Sequence, residues 1–399
     1  MGCLVAFTII SPLAVVSLAS GLPLHIYGHK ERPFISLIDQ SHRVSPLSQT
    51  RSQLDMRSYN LGFTYECTSV LGDLRSPVKR AQEITKHIIE EEQKPDIICF
   101  QEAFHLDATK ILCNGIKEHY PFIIHNVAPH VMGLCSGLVI ASRYPIEEVF
   151  FRRFTDLIGP ESLTTRGLLG LRIKLGQQAY ANVYNTHLQA ILGKERAQIR
   201  LNQLQKIVNW IDEDTKHDQM RKDHRLKIGD FLMGDLNFSV LDLQGRRNIS
   251  ENPFRSLLQK HFVDAFLKEH DELTGKRLQG RAHYVPSHLE EPCGSVYTGL
   301  QASDFVFKIK ELFEKIFYGF KAGEQIKNPN VKASWGTPDW SKGSRDARVA
   351  RYDFQLLKRP LNPLVNICGT AEIEHISNNT QSGSSDHLPI RAIYQWNYS

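Results

Sequence analysis

From about residue 54 onward, short apolar runs alternate with segments whose apolar residues recur every three or four positions. The short runs predict strands, at about 54–61, 96–100, 137–141, 167–175, 180–186, 230–234, 352–357 and 389–395. The longer period predicts helices, at about 78–92 and 194–213. Many short strands with few helices between them indicate an α/β fold in which two packed sheets are flanked by helices.

The N-terminal region has a different pattern. Residues 4–20 are apolar and carry no charge, which is typical of a short membrane anchor or of a signal-peptide core. We therefore expect membrane association through residues 1–33, with secretion after signal-peptide cleavage as the alternative. Residues 34–53 lack periodicity and predict a linker, whereas residues 54–399 predict one large domain, catalytic according to the polar segments below.

The net charge of +5 over 399 residues is too small to indicate a nucleic-acid partner. Residues 301–360 hold twelve basic and seven acidic residues, so this window alone accounts for the whole excess. Such a local surplus suits an anionic membrane, and a solvated surface explains it equally well. Within the window, Phe305–Phe320 has one apolar helical face, which predicts either a helix lying on lipid or one docked on the domain.

Five segments place acids, amides or histidines directly after an apolar run. They are Ser58–Asn60, Phe100–Glu102, Asn185–Leu188, Gly234–Asn237 and Ser385–Pro389. One such segment alone is more often a turn or a cap, but together they supply hard oxygen ligands and two imidazoles without thiolates. That set favours Mg²⁺ or Mn²⁺ over zinc, and it predicts metal-dependent hydrolysis of a phosphate ester.

These segments, in this order, resemble the endonuclease/exonuclease/phosphatase superfamily, which implies a four-layered α/β sandwich. Segments 136–145, 161–167 and 386–389, with the apolar stretch running into Arg32, resemble the animal membrane-bound neutral sphingomyelinases. The resemblance implies hydrolysis of sphingomyelin to ceramide and phosphocholine at a membrane surface, with activation by an anionic phospholipid. It leaves the oligomeric state open.

The resemblance also implies roles for individual residues. Glu102 would hold the catalytic Mg²⁺, or Mn²⁺, with Asn60 beside it. Asp235 and Asn237 would position the attacking water and the phosphate. His187 would donate a hydrogen bond to a phosphoryl oxygen and so stabilise the charge that grows on it.

The general base is assigned by the same resemblance. His387 is the candidate, because an imidazole with its ordinary pKa of ~6.5 accepts a proton at neutral pH. Asp353 would fix the tautomer of this histidine, although a plain salt bridge to Arg351 also explains an aspartate there. Asp386 would support the metal ligands. The opposite assignment, with Asp235 as the base and His387 acting electrostatically, stays open.

Arg166 is expected to contact the substrate phosphate, since it occupies the place of a lysine that this family pairs with an acidic residue. Here the acid is Glu161, and both side chains differ in length or shape from the family pair, so a regulatory pairing is doubtful. A role for Arg166 as a mere strand cap is the alternative.

Three other functions remain to be weighed. A nuclease of the same superfamily would need basic residues along a groove. A phosphoinositide phosphatase is faintly suggested by Thr337–Trp340, with stretched spacing to the later residues. A catalytically dead scaffold is disfavoured, because a scaffold has no physical need for carboxylates placed beside one another.

Overall fold

The described part of the chain forms two β-sheets that pack face to face. This computed structural model describes residues 35–38, 52–64, 76–129, 135–190, 194–221, 223–238, 252–265, 353–359, 361, 364–373 and 389–398. The first sheet has the strand order β1-β4-β5-β3-β2-β13-β12, and the second has the order β10-β11-β9-β8-β7-β6.

The thirteen strands that these residues form are short, as the apolar runs predicted. They are β1 (Ile35–Ile38), β2 (Gln53–Phe63), β3 (Ile97–Ala103), β4 (Phe122–His125), β5 (Val139–Ser142), β6 (Ile146–Arg153), β7 (Gly167–Lys174), β8 (Ala179–His187), β9 (Leu226–Asp235), β10 (Phe262–Asp264), β11 (Asp353–Lys358), β12 (Val365–Ile373) and β13 (Ile390–Tyr398). A 3₁₀ turn covers Gly159–Leu163.

Within the described residues, four helices cover the outer faces of the sheets. They are α1 (Pro77–Glu90), α2 (Leu106–Ile116), α3 (Lys194–Met220) and α4 (Asn252–His261). Helices α1 and α2 pack with the outer face of the first sheet around Phe100, and α3 and α4 pack with the second around Leu232. The order helix, sheet, sheet, helix confirms the predicted four-layered α/β sandwich.

Besides the two apolar clusters under the helices, a third cluster of apolar side chains lies between the two sheets. It contains residues from both, such as Met56 and Ile97 from the first sheet and Leu171 and Phe231 from the second. Each of these four side chains has essentially no exposed surface, so the cluster excludes water. Burying such side chains is the main force that holds the sheets together.

Each sheet contains one pair of parallel strands joined by a helix. In the first sheet β2 and β3 are parallel and α1 connects them, and in the second β8 and β9 are parallel and α3 connects them. Parallel neighbours end at the same edge of their sheet, and ligands of α/β proteins bind at that carboxyl edge. The fold therefore brings the ends of four strands toward one place.

Several predicted features differ from the structure or fall outside the described residues. The predicted linker, residues 34–53, contributes strand β1, which pairs with β4. Within the described ranges, no helix is long and apolar enough to cross a membrane. Residues 1–33, Phe305–Phe320 and Thr337–Trp340 lie outside those ranges, so the predictions made for them stay predictions.

Candidate metal centre and active site

Three side chains from both sheets converge at the carboxyl ends of the parallel strands. One ligand atom each from Glu102, His187 and Asp235 lies within 4.8 Å of the other two. The Nε2 atom of His187 is 3.7 Å from Glu102 Oε1 and 3.5 Å from Asp235 Oδ2. The structure thus places together three residues that the sequence distributes over more than 130 positions.

The strand register explains the pairing of His187 with Asp235. The two residues are partners at the last positions of the parallel strands β8 and β9. One residue earlier, Gly234 has φ +144°, and a Cβ atom there would collide with the carbonyl oxygen of Thr186. Only glycine permits this approach, so Gly234 is required to bring the Asp235 carboxylate close to the imidazole.

Glu102 and Asn237 both adopt left-handed backbone conformations. Their φ angles are +55° and +49°, and neither residue is a glycine. Such conformations cost of order 1–2 kcal/mol, and they are retained where the surrounding structure holds them for a purpose. Glu102 follows five fully buried residues of β3, and its left-handed backbone directs the carboxylate to the end of the sheet, where 22% of the side chain is exposed.

Asn60 connects the two carboxylates. Its Nδ2 atom donates to Glu102 Oε1 at 3.2 Å and to Asp235 Oδ2 at 2.9 Å. Its Oδ1 atom accepts the backbone N–H of Gly62 at 3.0 Å, so the amide presents its donor side to the carboxylates. Asn60 therefore bridges the two sheets at the centre of the site, while its predicted place beside the metal stays a prediction.

The donor set fits a hard divalent cation. Two carboxylate charges whose oxygens lie within 4.8 Å of each other repel by roughly 3.5 kcal/mol or more at an effective dielectric constant near 20. Asp235 is almost fully buried, so water screens this repulsion poorly. A divalent cation between the carboxylates of Glu102 and Asp235 would remove it, and carboxylate oxygen is the ligand that Mg²⁺ and Mn²⁺ prefer.

Asp235 is held from two sides. The backbone N–H of Asn237 donates to its Oδ1 atom at 2.8 Å, and Asn60 binds its Oδ2 atom. The backbone oxygen of Asp235 also accepts the N–H of Leu188 at 3.0 Å. These contacts fix the direction of the carboxylate, which suits a group that must orient a water molecule.

Arg166 and Asn237 share one acceptor. The guanidinium of Arg166 donates to the carbonyl oxygen of Leu188, and the Nδ2 atom of Asn237 donates to the same oxygen at 3.2 Å. Arg166 is buried, which places its positive charge directly beside the segment Asp235–Asn237. Its predicted contact with the substrate phosphate is compatible with this location and stays a prediction.

Glu161 does not pair with Arg166 in this structure. Both side chains are buried, yet no hydrogen bond or ion pair joins them in the part of the chain that the structure describes. The backbone oxygen of Glu161 instead accepts from the N–H and hydroxyl groups of Thr164, which closes the 3₁₀ turn. The expectation that Glu161 and Arg166 form no regulatory pair stays a prediction.

Asp353 lies next to the site on strand β11. It is fully buried, and in the antiparallel register it is the partner of Asp235. The residues with which it was predicted to act, Asp386 and His387, lie outside the described residues. The assignment of His387 as the base, of Asp386 as support for the metal ligands and of Asp353 as the residue fixing the tautomer therefore stays a prediction.

Sequence reasoning missed Arg80, which contacts the strand that carries Asn60. This side chain is fully buried, and it donates to the carbonyl oxygens of Leu61 and Gly62. A signal was present, because Arg80 lies four residues before Ile84 and eight before Ile88, within the apolar stripe of α1. A charged residue on such a stripe indicates a buried partner.

Comparison with known proteins agrees with this geometry. Residues 58–387 match the model of the Endonuclease/Exonuclease/phosphatase family. Sphingomyelin phosphodiesterase 5 of Danio rerio is 32% identical over 174 residues, which are 40% of this chain and 31% of that protein. The chain thus spans about a third of the length of the curated relatives it matches first.

Solved structures show the same fold. Beta toxin from Staphylococcus aureus superposes with a TM-score of 0.52 at 16% identity, covering 85% of this chain and 99% of the toxin. Sphingomyelinase C from Streptomyces griseocarneus gives 0.51 at 17% identity, covering 85% and 98%. Because the family match includes four of the five polar segments in full and extends well beyond half of the sequence, this protein belongs to the Endonuclease/Exonuclease/phosphatase family.

Proposed function

We propose that this protein is a Mg²⁺-dependent sphingomyelin phosphodiesterase that hydrolyses sphingomyelin to ceramide and phosphocholine at a membrane surface. The observation that carries the proposal is the convergence of Glu102, His187 and Asp235 at one edge of the sandwich. The substrate is supported by the similarity to sphingomyelin phosphodiesterase 5. Mn²⁺ could replace Mg²⁺, because the same oxygen ligands suit both ions.

The reaction exchanges one bond to phosphorus for another. The oxygen of a water molecule forms a bond to phosphorus, and the bond between phosphorus and the ceramide oxygen breaks. One proton of the water goes to a base, for which we propose His387, the ceramide alkoxide takes up a proton from the solvent as it leaves, and the base later returns its proton to the solvent. A cation held by Glu102 and Asp235 would withdraw charge from the phosphoryl oxygens and lower the pKa of a nearby water.

The residues of the chain supply position and charge. Asp235 is held by Asn60 and by the backbone of Asn237, so it can orient the attacking water without a change of rotamer. His187 is buried with its Nε2 atom toward the carboxylates, where it can donate to a phosphoryl oxygen bound beside them. Arg166, which donates a hydrogen bond to the carbonyl oxygen of Leu188, adds a positive charge on the same side of the site.

The membrane part of the proposal rests on the sequence. We propose that residues 1–33 anchor the protein, with the apolar residues 4–20 in the lipid. An anchored enzyme meets its lipid substrate at a high effective concentration. Activation by anionic phospholipid is proposed for the basic window 301–360, which would lie near such a surface.

The decisive experiment is a headgroup-release assay with the purified full chain. Mixed vesicles of sphingomyelin, phosphatidylcholine and phosphoinositides are incubated with the protein, with and without EDTA, beside a plasmid-nicking control. We expect release of phosphocholine from sphingomyelin, its loss in EDTA and its recovery on addition of Mg²⁺. Release of phosphate from phosphoinositides, or nicked plasmid without phosphocholine, would assign the site to another reaction of the family.

A further inference from the structure

Arg80 is a buried cation that ends on two consecutive backbone carbonyls. Its Nη1 atom donates to the oxygen of Leu61 at 2.7 Å and its Nη2 atom donates to the oxygen of Gly62 at 2.6 Å. The guanidinium carbon also lies 5.4 Å from the centre of the Phe63 ring. The side chain therefore contacts all three residues that follow Asn60 on strand β2.

The segment that Arg80 contacts, Leu61–Phe63, has an irregular backbone. Gly62 has φ +58°, and the pairing of β2 with β3 shifts register between Asn60 and Phe63. The carbonyl oxygen of Gly62 also accepts the N–H of Thr64 at 2.8 Å, which closes a tight turn. A strand that changes register there needs something to hold it, and the fork of Arg80 provides two fixed donors.

This turn determines which way the Asn60 amide faces. The N–H of Gly62 donates to Asn60 Oδ1 at 3.0 Å, so the NH₂ group of the same amide must point the other way. There it donates to Glu102 and Asp235. If the turn relaxed, the amide could rotate and present its oxygen to two carboxylates, which repels them instead of binding them.

We propose that Arg80 is a positioning residue of the active centre, which acts through the Leu61–Gly62 turn and Asn60 to hold the carboxylates of Glu102 and Asp235 at the spacing that binds the catalytic cation. The inference deepens the proposed function and rests on it for the activity readout. Lysine cannot replace arginine fully, because its single ammonium group lacks the planar fork that matches two neighbouring carbonyls.

The test combines variants of Arg80 with Asn60→Ala. Arg80→Met keeps the length of the apolar stem and removes the donors, and Arg80→Lys keeps one charge. Readouts are kcat and KM on sphingomyelin vesicles, and Mn²⁺ binding by titration calorimetry on the full chain without substrate. We expect Arg80→Met to lower kcat and Mn²⁺ affinity about tenfold each with little change in KM, and Arg80→Lys to restore part of both.

The double variant separates positioning from general stabilisation. If Arg80 acts through Asn60, Arg80→Met added to Asn60→Ala should change kcat and Mn²⁺ affinity less than twofold further. Arg57→Met is the matched control, because Arg57 is equally buried on the same strand and binds Glu91 through two hydrogen bonds. Its variant should lower the melting temperature and leave kcat and Mn²⁺ affinity unchanged.

Multiplicative effects in the double variant would overturn the inference, as would a lowered melting temperature with normal Mn²⁺ affinity in Arg80→Met. Should that variant fail to fold, Arg80→Lys carries the same comparison, and unaltered Mn²⁺ affinity there counts against the inference. The calorimetric readout is independent of the substrate. If the wild-type chain hydrolyses no sphingomyelin but Arg80→Met still weakens Mn²⁺ binding, the proposed function fails and the role of Arg80 stands.

Discussion

The side chains of Gln101 and Asn185 join the two sheets through a hydrogen bond of 2.8 Å, from Gln101 Nε2 to Asn185 Oδ1. Both residues are fully buried in the centre of the sandwich. Asn185 Nδ2 in turn donates to the carbonyl oxygens of Phe100 and Val139. Since Gln101 immediately precedes Glu102 and Asn185 lies two residues before His187, this amide pair sets the distance between the two halves of the active site.

Replacing Gln101 with Met should therefore reduce both stability and activity. The substitution removes the hydrogen bond that Gln101 donates to the buried carboxamide oxygen of Asn185, which costs about 1–3 kcal/mol of unfolding free energy. Urea unfolding and headgroup release measure the two effects. Gln205→Met is the control, since Gln205 bonds Asn209 on an exposed helix face and should change stability by less than about 0.5 kcal/mol. Equal losses in the two variants would contradict the interpretation.

Gly234→Ala should disrupt the site more than a comparable change elsewhere. The added methyl group collides with the backbone of Thr186 and forces apart the strands that pair His187 with Asp235. Gly176 provides the comparison, because it also has a positive φ but open space around its Cβ position. We expect Gly176→Ala to lower the unfolding free energy by about 1 kcal/mol and to keep its activity. Gly234→Ala should lower the unfolding free energy several-fold more and should also lower kcat. Thermal melts and kcat check both expectations.

Glu102→Gln should lower kcat by at least about a hundredfold while the fold stays intact. The amide keeps the shape of the side chain but removes the negative charge that would hold the cation. His387→Ala should have an effect of similar size if this residue is the base. Circular dichroism establishes folding, and Glu90→Gln, on the exposed face of α1, serves as the unaffected control. Turnover close to wild type in Glu102→Gln would refute the assignment of the metal centre.

Asp214 should make stability depend on pH. Burial raises the pKa of its carboxyl group to about 6, with Asp230 and Asp218 adding to the rise and Arg152 and Tyr184 opposing it. The folded chain thus holds this proton at a higher pH than the unfolded chain, in which the pKa is near 4. The stabilising contribution is complete below about pH 4 and is lost as the pH rises through about 6.

Asp214→Asn removes this titration, so it isolates the effect. Between pH 4.5 and 7.5 the unfolding free energy of the wild type should fall relative to that of the variant, as measured by urea unfolding at each pH. A constant difference, or a wild type that gains relative stability as the pH rises, would show that burial does not control this carboxyl group. Asp214 lies on α3 and accepts hydrogen bonds from Arg152 and Tyr184, neither of which is a candidate site residue, so kcat should change little.

Deleting residues 1–33 should release the protein from membranes without unfolding it. The apolar residues 4–20 would supply the buried surface that holds the chain on lipid. Vesicle flotation with the full chain and the truncated chain compares their binding. If the truncated chain still floats with vesicles, attachment depends on another segment, and Phe305–Phe320 is the next to delete.

The sequence predicted the central strands better than the peripheral elements. Strands such as β8 and β9 were found because each contains a short apolar run close to the polar residue that ends it, as Phe231–Met233 precedes Asp235 in β9. Helix α2 was missed, since only two residues separate it from β3 and its cap is His105, where Ser, Thr, Asp or Asn would be the usual signal. Strand β6 was missed because its half-buried residues show no clean alternation.

Contacts between distant residues were beyond the reach of sequence patterns. The polar ends of strands indicated that Glu102 and Asp235 share a site, because chemistry requires carboxylates together. Gln101 and Asn185 both fall in the polar segments that the sequence singled out, but nothing in a period of two or 3.6 residues predicts that these two side chains meet. Such pairings depend on the stacking of one sheet on the other, which is a property of the whole fold.

The position of β13 has a consequence for the synthesis of the protein. This strand, near the end of the chain, pairs along β2 from Ile390 opposite Ser58, and β2 carries Asn60. During translation, β2 therefore leaves the ribosome long before its neighbour β13 has been synthesised. Until then, one edge of β2 in the nascent polypeptide has no strand beside it. The site around Asn60 can therefore form completely only after residue 398 has been translated.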